Sequence, residues 1–127
     1  MSVEQIAVLL QTQILPVTGL RIVAPDGRVK RKTVGYVYGY TDALLRTRNL
    51  DMRDSELSAP ILFHVFKKLF PGDDAFKAMN FLVDNLRDEG VAFGMMHGGQ
   101  QYLDYRKPDA KGVPMGLARF MVEENGN

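Results

Sequence analysis

Two histidines, His64 and His97, are the residues of this chain whose ordinary titration falls near neutrality. His97 is followed by Gln101 one helical turn later and Asp104 two turns later, so a helix places the three on one side as a base with polar neighbours. That set is a candidate ligand site. As catalytic machinery it lacks a nucleophile and metal-ligand spacing, and a solvated polar face is the ordinary reading of the same residues. His64 stands with Lys67 and Lys68 at i+3 and i+4, which reads either as an anion patch or as the solvent strip of a core helix.

Other chemistries are excluded by residue type. The chain has no cysteine, which removes disulfides, thiolate nucleophiles and zinc–sulfur sites together. Two histidines 33 positions apart, without an H-E-x-x-H pattern, do not make a zinc centre. The stretch NLDMRDSELSAP resembles a calcium loop but lacks its central glycine and closing glutamate. Neither a dinucleotide fingerprint, a phosphate-binding loop nor a G-x-S-x-G elbow occurs, and Gly98-Gly99 alone is too little for a phosphate cradle. The sequence therefore calls for no cofactor and no metal, and gives an enzyme no positive support.

A basic segment is the nucleic-acid candidate. Around the turn Ala24-Pro25-Asp26-Gly27, the alternation of GLRIV and RVKRKT predicts a β-hairpin over about residues 19–33. Arg28, Lys30 and Lys32 would project to one side, with Arg21 and Arg31 on the other, as a ribbon able to track phosphates. The competing explanation is protection of a sheet edge by charge. A sequence pI near 8.0 and an acidic second half weigh against nucleic acid.

The strongest pattern is a repeated glycine spacing. GYVYG at 35–39 and GMMHG at 94–98 each place two glycines four apart among bulky apolar residues. On helices such pairs let backbones approach closely, a rule taken by analogy from membrane dimers. The two faces would cross within one chain or across a dimer axis. Tyr36 and Tyr40 flank the first pair, and tyrosine supplies large contact area with a polar tip. Gly35, Tyr36, Gly39, Tyr40, Ala43, Gly94 and Gly98 are therefore the candidate protein interface. The ordinary reading of the glycines is that they merely fit under aromatic neighbours in a tight core, and a helix buried on two sides is the other reading of those tyrosines.

These residues need elements to hold them. Ser2 and Gln5 form a capping box before a first helix over 3–14, which Pro16 ends. Thr33 caps a second helix over 34–47. The apolar run ILFHVFKKLF, entered by Ser58 and Pro60, predicts a third over 59–70 that is apolar over most of its circumference and so stands at the centre. Asp73 and Asp74 start a fourth over 74–88 with Ala75, Ala78, Met79, Leu82, Val83 and Leu86 inward. Residues 91–106 read as a helix, the strand alternative holding only for QYLDY. A short helix opens at Pro114.

The expected fold is a single α+β domain over 1–127: five or six helices around the central apolar helix, with one amino-terminal β-hairpin. At 127 residues, 46% of them hydrophobic, the chain can build one core. It has no stretch long enough to span a membrane and no leader-like start, so a cytoplasmic protein is expected. Residues 1–53 carry eight basic and four acidic side chains and residues 54–127 eight and eleven, so the halves stand near +4 and −3. The functional expectation is a non-catalytic protein–protein interaction or regulatory protein, homodimeric. Nucleic-acid binding through the hairpin, or a ligand or enzyme site near His97, are the alternatives.

Overall fold

The computed structural model describes residues 4, 5, 8, 21–47, 49, 55–70, 72–109 and 116–125. Five helices run through them in order: α1 Arg31–Arg46, α2 Ser55–Leu69, α3 Asp74–Asp84, α4 Glu89–Tyr105 and α5 Gly116–Glu123. The expected first helix falls almost wholly outside the described residues, of which Glu4, Gln5 and Val8 are helical. Among the described residues no helix is long and apolar enough to cross a membrane.

Two features of the expected fold are corrected. No strand or sheet forms among the described residues, so the architecture there is helical and not α+β. The turn at 24–27 closes, with the Gly27 amide donating to the Ala24 carbonyl at 2.9 Å and Gly27 at φ +90°. Beyond it the β-hairpin shrinks to one antiparallel bridge, Val23 to Val29. The physical reason is that the chain turns helical at Arg31, which removes the residues a second strand needs. The second correction concerns the centre. α2 buries a single stripe, Leu62, Val65, Phe66 and Leu69, and leaves Lys67 and Lys68 exposed. The central element is α1, buried almost continuously from Thr33 to Leu45. Similarly, α3 ends at Asp84, burying Ala75, Ala78 and Leu82 while Val83 and Leu86 are 64% and 50% exposed.

The packing partner of α1 is α4, and the glycines decide how. Helices that meet through side chains stay about 8–10 Å apart. Here a Cβ built on Gly35 would overlap the Val91 carbonyl, and one on Gly39 the Met95 carbonyl. Reciprocally, a Cβ on Gly94 would overlap the Lys32 carbonyl and one on Gly98 the Tyr36 carbonyl. The two helices therefore touch backbone to backbone, in a geometry suited to Cα–H···O contacts. Contacts advance together along both chains, Gly35 on Val91 then Gly39 on Met95, so α1 and α4 run parallel. Segment 47–88, with α2 and α3, is the crossover that parallel neighbours require.

The ends of α1 and α4 are secured from a distance. Asp88 caps α4, accepting from the Val91 amide at 3.0 Å while pairing with Arg31 at 3.0 Å. α1 has no capping side chain on Lys30 and no acid in its first turn. Its orphan amides are met by Glu124 instead, which accepts from Lys32 N at 2.9 Å, Thr33 N at 2.8 Å and Thr33 Oγ1 at 3.0 Å. At the start of α3, Asp74 takes a two-pronged contact from Arg21 at 2.7 and 3.2 Å.

Paired substitutions test the backbone contact. Gly39→Ala is expected to cost about 3 kcal/mol, because the opposing carbonyl belongs to rigid backbone and cannot yield. Gly99→Ala, whose Cβ would meet only the Gly39 carbonyl at 3.5 Å and Ala43 Cβ at 3.9 Å, is expected to be neutral or to gain up to about 1 kcal/mol from helix propensity. Urea unfolding of both reads the difference, and equal losses would refute the explanation.

Candidate functional site

Along the seam between α1 and α4 an open groove of about 540 Å³ runs over Gly39 and past it. Gly39, Ala43 and Gly99 form its low floor, and Met95, Met96 and Leu103 form one wall. Met96 is 62% exposed and Leu103 43%, a high exposure for apolar side chains next to a tightly packed core. Methionine is unbranched and polarizable, so such a wall adapts to the shape of whatever meets it. Asp42 and Arg46, paired at 3.1 Å, stand on the α1 lip. Asp104 and Lys107, also 3.1 Å apart, follow Leu103 at the end of α4.

The residues singled out for an interface are engaged inside the chain. Gly35, Gly39, Gly94 and Gly98 make the helix crossing, and Gly39 with Ala43 also reaches the groove. Tyr36 and Tyr40 are fully buried, their rings stacked at 6.1 Å, with Tyr36 edge-on to Phe120 at 6.0 Å and Tyr40 edge-on to Tyr102 at 5.2 Å. α1 is thus buried on two sides.

The basic set is dispersed. Arg21 is held by Asp74, Arg28 by Asp26 at 2.6 Å and Arg31 by Asp88, while Lys32 lies 5.0 Å over the Phe93 ring. Lys30 is 1% exposed. These contacts leave no row of free cations along a ribbon.

The three polar residues of the histidine candidate also part company. His97 packs its ring on Phe93 at 4.5 Å and Phe120 at 5.7 Å. Asp104 is exposed and bound to Lys107 and Gln100, which together hold its carboxyl below the usual aspartate range. Gln101 turns inward: its Oε1 accepts from the Tyr36 hydroxyl at 2.6 Å and from the Gly116 amide at 3.0 Å, tying α1, α4 and α5 together. His64 contacts Glu4 across 2.7 Å, with Lys68 3.7 Å from the same carboxylate. Among the described residues no group of three His, Asp or Glu side chains is placed to hold a metal.

Sequence reasoning missed the groove wall, the Gln101 junction and the cap from Glu124. One signal was present for the last. A helix opening Arg-Lys-Thr, with no acid in its first turn, repels its own dipole and calls for a carboxylate from elsewhere. No protein-family model, curated protein or solved structure matches the chain.

Two buried hydroxyls give a direct check of the interior. Tyr40 has no hydrogen-bond partner among the described residues, and burial, with the neighbouring tyrosines, raises its titration well above the ordinary range. Tyr40→Phe is therefore expected to be neutral or slightly stabilising, whereas Tyr36→Phe breaks the Gln101 junction and is expected to cost about 1 kcal/mol. Thermal unfolding of the pair decides. Asp88 supplies a pH check. Burial alone would raise its carboxyl, but the Val91 amide and Arg31 together hold it below the usual range. Its stabilising effect is then complete above the unfolded aspartate value of about 4 and fades as pH falls through the lower folded value. Asp88→Ala is expected to cost about 1 kcal/mol at neutral pH, a gap that closes on acidification.

Proposed function

We propose that this is a non-catalytic protein-interaction or regulatory protein that pairs with a second copy of itself through the groove between α1 and α4. The observation that carries the reading is the methionine- and leucine-walled groove of about 540 Å³ beside the glycine crossing. An open apolar trough with a flexible wall suits a protein surface better than a small polar ligand, which needs convergent polar groups.

The charges on its lips favour a second copy as the occupant. Along α1 the order is Asp42 then Arg46; at the end of α4 it is Asp104 then Lys107. A two-fold axis across both helices lays each on its own counterpart, antiparallel. Asp42 then meets the other copy's basic residue at position 46, and Asp104 the one at position 107. Each contact is made twice, as an isologous interface demands. The apolar wall supplies affinity, and the charge order supplies register. In a regulatory role, dimerisation would couple the protein's concentration to whatever surface it presents.

Sedimentation velocity across a range of concentrations tests this. The mass of the 14.3 kDa chain is expected to rise toward the dimer, and Met96→Lys with Leu103→Lys to hold it at the monomer with helical circular dichroism unchanged. A wild-type monomer at every concentration, or a dimer indifferent to the double substitution, overturns the proposal.

A further inference from the structure

At the other end of α1 from the groove, three observations meet. The first is the helix amino terminus, whose Lys32 and Thr33 amides and Thr33 hydroxyl all donate to one carboxylate, that of Glu124. The second is Lys30, 1% exposed, whose Nζ has no hydrogen-bond partner among the described residues. The third is a cavity of about 190 Å³ lined by Lys30, Arg28, Arg31 and Glu124, among others. At the ~30 Å³ that one water occupies in the liquid, this is room for a tetrahedral oxyanion and its first waters.

Most of the charges around the cavity are already paired. Arg28 is neutralised by Asp26, Arg31 by Asp88, and Glu123 lies 3.7 Å from Arg119. What remains is the Lys30 ammonium and the positive end of α1, against Glu124 alone. Glu124 satisfies the amides but makes no hydrogen bond to Lys30. Burial pushes the Lys30 amine down and attraction to Glu124 pulls it back up. A carboxylate offers two oxygens in a plane. A tetrahedral anion offers more, enough to take the amides, the Thr33 hydroxyl and Lys30 together. A simple cap explains the amide contacts; it does not explain a buried ammonium with no hydrogen-bond partner among the described residues, on a residue that lines a cavity.

We propose that the amino terminus of α1, with Lys30 and Thr33, is a binding site for a small oxyanion of the phosphate class, and that Glu124 is a resident mimic which such an anion displaces. The recognised chemistry is the phosphoryl group, shared by inorganic phosphate and small phosphate monoesters. Displacing Glu124 releases the carboxyl end of α5, so occupancy would be read out at the α1–α5 contact. This site is separate from the groove, and the two proposals stand or fall independently.

The test is titration of the ¹⁵N-labelled chain with inorganic phosphate and, separately, glycerol 3-phosphate, at constant ionic strength with chloride as control. Saturable amide shifts are expected at Lys32, Thr33 and Glu124, and the tighter of the two anions identifies the source. Glu124→Gln removes the competing charge and is expected to tighten apparent affinity about tenfold, since the competent state is no longer a minor one. Lys30→Met is expected to abolish the saturable shifts in either background. Absence of saturation in Glu124→Gln, or equal binding with and without Lys30, overturns the proposal. Should Glu124→Gln fail to fold, the wild-type titration decides: saturable shifts lost in Lys30→Met support it, and shifts that never saturate or ignore Lys30 refute it.

Discussion

Backbone contact between α1 and α4 is the constraint from which the remaining structure follows. Gly35, Gly39, Gly94 and Gly98 carry no side chain, and the space each would have filled holds a carbonyl of the opposite helix. Contact so close cannot be softened by rotamer changes, so it fixes the relative height, angle and direction of the two helices. Everything placed on them inherits that precision. Gln101 reaches Tyr36 and Gly116 because the crossing holds α4 at one register on α1. The groove exists because Gly39, Ala43 and Gly99 leave its floor low between taller neighbours.

The glycine spacing was legible in the sequence, since a pair four apart recurring among bulky residues has few other uses on a helix. The sequence left open whether the two faces cross within one chain or across a dimer axis; the structure crosses them within the chain. The hairpin was misread for a local reason. Alternation in RVKRKT imitates a strand, and a run beginning Lys-Arg-Lys looks hostile to a helix start. The carboxylate that makes it tolerable lies at position 124, more than ninety residues away, beyond the reach of any window-based pattern. The centre was misplaced because ILFHVF is apolar on nearly every side, yet burial is decided by what lies opposite. α1 mixes glycine, threonine and tyrosine and is nevertheless the more buried helix.

The candidate sites illustrate the same division. Residue spacing put His97, Gln101 and Asp104 on one side of a helix, but each finds a different partner: aromatic rings, an inward junction and a surface cation. Basic residues 21–32 read as a ribbon only while their acids are out of view, because Asp74 and Asp88 belong to elements far along the chain. The groove wall was invisible for the opposite reason. Met96 and Leu103 look like core residues in any apolar count, yet α4 buries the face of Val91, Gly94, Gly98 and Tyr102 and leaves them outward.

The parallel course of α1 and α4 also governs how the chain can fold. Val91 lies 56 positions beyond Gly35 and Gly94 lies 62 beyond Lys32, so no short turn can bring the helices together. The intervening segment must be closed first, at an entropic cost that local helix formation does not recover. Glycine-rich helices are weak by themselves, and α4 carries four glycines, Gly90, Gly94, Gly98 and Gly99. That helix gains its stability on docking and has little before it. The crossing thus couples the two helices, so that the weaker one becomes ordered together with its long-range partner.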